Sequence, residues 1–159
     1  EALNTFGVDL DYDYYCNYCN GRHYKVFIPP LVDNDEEKIE EVHKIKKNAY
    51  SKYLDKVKVN ERLFDIIRLI KDEYKIVLVT TASKKNTEEI LKYTKKIELF
   101  DDIITADDIS KPKPDPEGFN LAIQRFNVDP KNAIIFEDAE VGIEAARKTG
   151  ASVFVVNKF

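Results

Sequence analysis

The 159 residues are 43% hydrophobic and 34% charged, the balance of a folded domain rather than a disordered chain. A net charge of −4 gives no electrostatic reason for binding nucleic acid or an anionic membrane surface. The apolar runs, about four residues each, fall far short of the roughly twenty that cross a bilayer, and nothing resembles a signal peptide. The expectation is a cytoplasmic monomer with no membrane or nucleic-acid partner. The chain opens at Glu1 and has no methionine, which predicts further residues upstream of it.

The N-terminal stretch holds one cysteine pair, Cys16 and Cys19, with His23 shortly after. A structural zinc site normally needs four ligands, so two reduced, partly buried thiols are the better reading. Pro29-Pro30 breaks whatever precedes it. Residues 35–57 then read as an amphipathic helix, with Ile39, Val42, Ile45, Ala49 and Tyr53 at steps of three and four. Asp33, Asn34 and Asp35 offer capping oxygens, and Glu36 and Glu37 suit the positive end of its dipole. A second helix, 61–73, carries Leu63, Ile66, Ile67 and Ile70 on one side.

From there strands and helices alternate. Ile76 to Val79 is wholly apolar and β-branched, the pattern of a strand buried on both faces. A helix over 86–98 follows, then a strand at 102–105. Asp115-Pro116 opens a third helix, since aspartate caps and proline suits the first helical position. Ala133 to Phe136 reads as another buried strand, 139–149 as a helix ending at Gly150, and 152–156 as the last strand. Such alternation predicts an α/β fold, a doubly wound parallel sheet whose ligands bind beyond the carboxyl ends of the strands.

Three of those ends are polar. Val79 runs into Thr80 and Thr81, the loop after the second strand holds Ser110 to Asp115, and Phe136 runs into Glu137-Asp138. Singly, each is turn or cap chemistry. Jointly, a hydroxyl, a cation and a carboxylate pair on successive strand ends supply what a phosphoryl group needs: a donor, a positive charge and a divalent-metal site.

With those residues in place the sequence resembles the haloacid dehalogenase superfamily, in the β-phosphoglucomutase-like group with a helical cap. Ile76 to Thr80 is similar to its second motif, Lys111-Pro112-Lys113-Pro114-Asp115 to its third, and Ile135 to Ala146, with Glu137-Asp138 and a Gly-Ile-x-Ala-Ala helix, to its fourth. Residues 1–60 resemble the cap, and 61–159 the α/β core. The resemblance implies Mg²⁺ as cofactor and a small phosphorylated metabolite as substrate, attacked by an aspartate to give an aspartyl-phosphate. Thr80, Thr81 and Lys111 would hold the phosphoryl group, with Thr80 and Lys111 in catalytic roles. Asp138 and Glu137 would hold the metal. Arg22, His23, Lys46 and Lys47 are candidate substrate contacts from the cap.

The family's first motif, an apolar strand ending in Asp-x-Asp, has no clear counterpart. Asp9-Leu10-Asp11-Tyr12-Asp13 has the spacing, but Asn4 to Val8 are poor material for a doubly buried strand, and a cap turn suits the segment better. That strand would lie between those of the second and fourth motifs. The expectation is an upstream segment of about 15–25 residues that supplies it, a typical strand being five or six residues long. Three readings stay open: a phosphatase, a phosphomutase that returns the phosphoryl group to a sugar, and a non-catalytic binding domain.

Overall fold

The structure, a computed structural model, describes residues 1–156; the final three positions of the predicted core lie outside the described residues. The principal elements in chain order are α1 (Glu36–Ala49), α2 (Glu61–Ile70), β1 (Val77–Val79), α3 (Lys84–Tyr93), β2 (Asp102–Ile104), α4 (Glu117–Arg125), β3 (Ile134–Glu137), α5 (Glu140–Arg147) and β4 (Ser152–Val155). Before α1 the chain makes only short helical turns.

Local chemistry sets most boundaries. Asp35 caps α1 by accepting from the backbone N–H groups of Glu37 and Lys38. Helix α1 ends at Ala49, and a 3₁₀ segment carries the chain to Lys56, so the helix predicted over 35–57 is shorter and Tyr53 is exposed. Ser83 caps α3, which begins two residues before the predicted helix and gives way to a 3₁₀ turn at Ile97–Leu99. Asp115 accepts from the N–H of Glu117 at the start of α4, as the Asp-Pro signal predicts.

The strands are parallel, as predicted, and form two pairs. β1 pairs with β2, and β3 with β4, both in parallel, but among the described residues nothing is hydrogen-bonded between β1 and β3. The two pairs nonetheless share a layer. Phe119 of α4, Ile135 of β3, and Ala145 and Ala146 of α5 form one buried cluster, against which Val79 of β1 and Val153 of β4 pack. β3 and β4 are covered on that face only. Ile134, Phe136 and Phe154 on the other side of β3 and β4 are 39–56% exposed, so the prediction of a buried strand at Ala133 to Phe136 is corrected here. The physical reason is plain: among the described residues no element packs over that side.

A second hydrophobic cluster belongs to the N-terminal part. Leu3, Ile28, Val32 and Val42 are buried, with Phe6, Phe27 and Ile39 packed around them. Asp9 and Asp13 are exposed and lie on no strand, and Asp11 caps the turn Tyr12–Tyr14 by accepting from the N–H of Tyr14 at 2.7 Å. The segment is a turn rather than a strand. Cys16 and Cys19 are free thiols, Cys19 buried. No helix among the described residues is long and apolar enough to cross a membrane.

Candidate active site

β1 ends at Val79, and the ladder continues one step as the N–H of Thr80 donates to the carbonyl of Ile104 at 2.9 Å. The chain then turns, and the Thr80 hydroxyl accepts from the N–H of Ala82 at 3.1 Å. Thr80 and Thr81 are therefore fixed at the carboxyl end of β1, both half-buried. Glu137 closes β3 and Asp138 follows it, exposed, before α5 begins.

The residue that joins these two ends is Lys113. Its Nζ donates to Glu137 Oε1 at 2.9 Å and stands 3.4 Å from the carbonyl oxygen of Val79. The two side chains are 10% and 15% exposed, so this ion pair is shielded from solvent. The stem of Lys113 brings its ammonium over the Phe119 ring, 4.6 Å from the centroid, where the aromatic face favours a cation. Lys111, the lysine singled out from the sequence, is placed otherwise. It is exposed, and its contact with the loop is through its backbone N–H, which donates to Glu117 at 2.6 Å. The structure thus brings Lys113 rather than Lys111 to the strand ends.

Glu117 organises that loop, a part the sequence reading did not assign to it. Its carboxylate accepts from the backbone N–H and the hydroxyl of Ser110 and from the N–H of Lys111. These donors, the Ser110 N–H foremost, hold its pKa below the ordinary carboxylate value. From the other side Lys148 donates to the carbonyl of Pro114 at 2.9 Å. The loop that presents Lys113 is therefore pinned on both flanks.

Of the N-terminal candidates, Arg22 and His23 follow Gly21, whose backbone is in the left-handed region at φ +73°. A Cβ at Gly21 would stand 2.7 Å from that of Ala139 and 3.2 Å from Val141 Cγ2, so this loop lies directly against the start of α5, next to Glu137-Asp138. Burial, followed by the charges of Lys25 and Lys46, holds the His23 pKa below its ordinary value of 6.5. Its Nδ1 accepts from the N–H of Lys25 at 3.4 Å, which leaves the proton of the neutral ring on Nε2. Lys46 lies over the Phe27 ring. Lys47 is half-buried on α1, and its side chain makes no hydrogen bond or ion pair among the described residues.

No three histidine, cysteine or acidic side chains gather as a metal cage among the described residues. Two adjacent carboxylates at a strand end do fit Mg²⁺, an ion held by one or two protein carboxylates with water and phosphate oxygens completing its octahedron.

A sequence profile of the haloacid dehalogenase-like hydrolases matches residues 1–156. Among curated relatives, the chain is 45% identical over 73 residues to a validoxylamine A 7'-phosphate phosphatase of Streptomyces hygroscopicus, covering 46% of this chain and 34% of that protein. It is 31% identical over 121 residues to a phosphorylated carbohydrates phosphatase of Thermotoga maritima, covering 76% and 55%. The chain thus spans about a third to about half of the length of these two relatives. Among solved structures, CbbY of Rhodobacter sphaeroides in complex with phosphate superposes with a TM-score of 0.85 at 23% identity, covering 99% of this chain and 76% of that one. A β-phosphoglucomutase of Clostridium difficile gives 0.84 at 24% identity, covering 99% and 74%. These neighbours show the fold, and the profile match runs through both the N-terminal helical part and the strand ends that carry the polar residues. The chain belongs to the haloacid dehalogenase-like hydrolase family.

Proposed function

We propose that the protein is a Mg²⁺-dependent phosphatase acting on a small phosphorylated metabolite through an aspartyl-phosphate. The observation that carries this reading is the placement of Lys113, which holds one buried positive charge between the end of β1, beside Thr80, and the end of β3, beside Asp138. A phosphoryl group seated there meets the Thr80 hydroxyl and the N–H of Thr81 on one side and the Lys113 ammonium on another. Both curated relatives described above are named as phosphatases of phosphorylated compounds, which favours the same class of substrate.

In this reading the attacking carboxylate is an aspartate of the family's first motif, beside the ends of β1 and β3. Its oxygen forms a bond to phosphorus as the ester oxygen leaves and takes up a proton. Water then attacks the aspartyl-phosphate, releasing inorganic phosphate and restoring the carboxylate. Lys113 offsets the charge that the phosphate and the carboxylate bring together, and Thr80 fixes a phosphoryl oxygen. Mg²⁺, held by Asp138 with Glu137, would neutralise phosphoryl charge. Residues 1–60 act as the cap, and the loop Gly21–His23 presents Arg22 and His23 to the substrate.

The test is phosphate release from a panel of sugar phosphates, nucleotides and pyrophosphate by the protein as its gene encodes it, with Mg²⁺ and with EDTA. Release that EDTA abolishes is the expected result. Movement of the phosphoryl group within a sugar, with none released, would identify a mutase instead. Absence of both, with the ligands still bound, would make the protein a binding domain.

A further inference from the structure

The active-site acid Glu137 occupies space that only one residue type leaves free. Its side chain folds back over the first turn of α5, and a Cβ built on Gly142 would overlap the carboxylate and stand 2.5 Å from Cγ. Unbonded carbons pack at about 3.5–4.0 Å, so any side chain at 142 displaces the whole end of Glu137. Gly142 does not serve a left-handed backbone, since Gly7, Gly21 and Gly150 are the glycines with positive φ among the described residues. It sits inside a helix, where glycine is among the poorest residues. What its presence provides is room for a carboxylate.

We propose that Gly142 is a positioning residue. Its bare Cα is the seat of the Glu137 carboxylate, and through that carboxylate it sets where Lys113 holds its charge. The inference deepens the phosphatase reading and rests on it only for the consequence in turnover. The chain of contact is short: Gly142 admits Glu137, and Glu137 Oε1 accepts from Lys113 Nζ at 2.9 Å. Lys113 in turn reaches the end of β1 at the Val79 carbonyl. Gly142 touches no reacting atom in this scheme, and acts through the other two.

The proposal makes the sign of one substitution depend on a second residue. In the unaltered chain, Gly142→Ala should lower Tm by several degrees, roughly the 2–8 °C that a typical destabilisation produces in a protein of this size. In a Glu137→Ala background the obstacle is gone and alanine is the better helix former, so the same change should leave Tm within about 2 °C or raise it. The second readout is the acylation rate of the Lys113 amine by acetic anhydride, followed by mass spectrometry of the folded chain. Gly142→Ala should increase it about fivefold or more, as expected from loss of a charge-assisted hydrogen bond, and should add nothing once Glu137 is alanine.

Equal destabilisation by Gly142→Ala in both backgrounds would overturn the proposal, since something other than Glu137 would then need the glycine. So would an unchanged Lys113 labelling rate in a folded Gly142→Ala protein. If Gly142→Ala alone does not fold, the double variant decides: folded, with the Tm of Glu137→Ala, it supports the proposal, and unfolded it overturns it. None of these readouts uses turnover. A wild-type protein that releases no phosphate would therefore sink the phosphatase reading and leave this one standing.

Discussion

Lys113→Met is expected to lower kcat for phosphate release by about 10²–10³-fold, the usual loss when a preorganised donor is removed from a developing negative charge. Lys111→Ala is expected to stay within about twofold of the unaltered protein, as for an exposed residue away from the site. Methionine keeps an unbranched apolar side chain and removes the ammonium, and with it the contacts to Glu137 and the Phe119 ring. The substitution also leaves the Glu137 carboxylate, 15% exposed, without its partner. Breaking such a pair costs up to about 3–5 kcal/mol, so Tm should fall as well and the assay belongs well below it. Steady-state kinetics of the two variants side by side separates two lysines only two positions apart. Equal activity in Lys113→Met and the parent, or a large loss in Lys111→Ala, would return the role to Lys111.

The second large effect is at Asp138. Asp138→Asn keeps the shape of the side chain and removes its charge, and an amide is a far weaker partner for a hard dication. The affinity for Mg²⁺ should fall by roughly 10–100-fold or more, and kcat at fixed metal by about 10²-fold or more. Tm should hardly move, because Asp138 is exposed and makes no ion pair among the described residues. Calorimetric titration of Mg²⁺ alongside the phosphate assay distinguishes a ligand from a bystander. A variant that binds Mg²⁺ as tightly as its parent would remove Asp138 from the metal site.

The order of strands and helices from residue 61 onward was legible because each element had its own period and its own punctuation. The positions of Thr80 and Glu137-Asp138 at strand ends were legible for a related reason: they close β-branched runs, and such ends mark the edge where a parallel sheet binds ligands. The lysine was harder. Lys-Pro-x-Pro occurs twice in overlapping frames, at Lys111 and at Lys113, and local sequence does not say which amine points inward. The tertiary contacts that decide it, the Phe119 ring and the Glu137 carboxylate, both at the ammonium, come from elements downstream. Glu117 went unassigned because its partners are backbone N–H groups, which a sequence does not display. The same holds for Gly142. In the pattern Gly-Ile-x-Ala-Ala it reads as a small residue for helix packing, and its relation to Glu137 appears only once the carboxylate is seen to fold back. Ile134 and Phe136 misled for a physical reason: apolar character marks what a strand can bury, while coverage depends on what packs against it.

The measurement that bears most directly on the whole scheme is a crystal structure of the protein grown with Mg²⁺ and tungstate, a tetrahedral stand-in for phosphate. One oxyanion should lie within hydrogen-bond reach of Thr80 Oγ1 and Lys113 Nζ, with a metal ion on Asp138. An oxyanion bound elsewhere, or a Lys113 amine turned away from an occupied strand end, would contradict the claim that these groups surround a single phosphate.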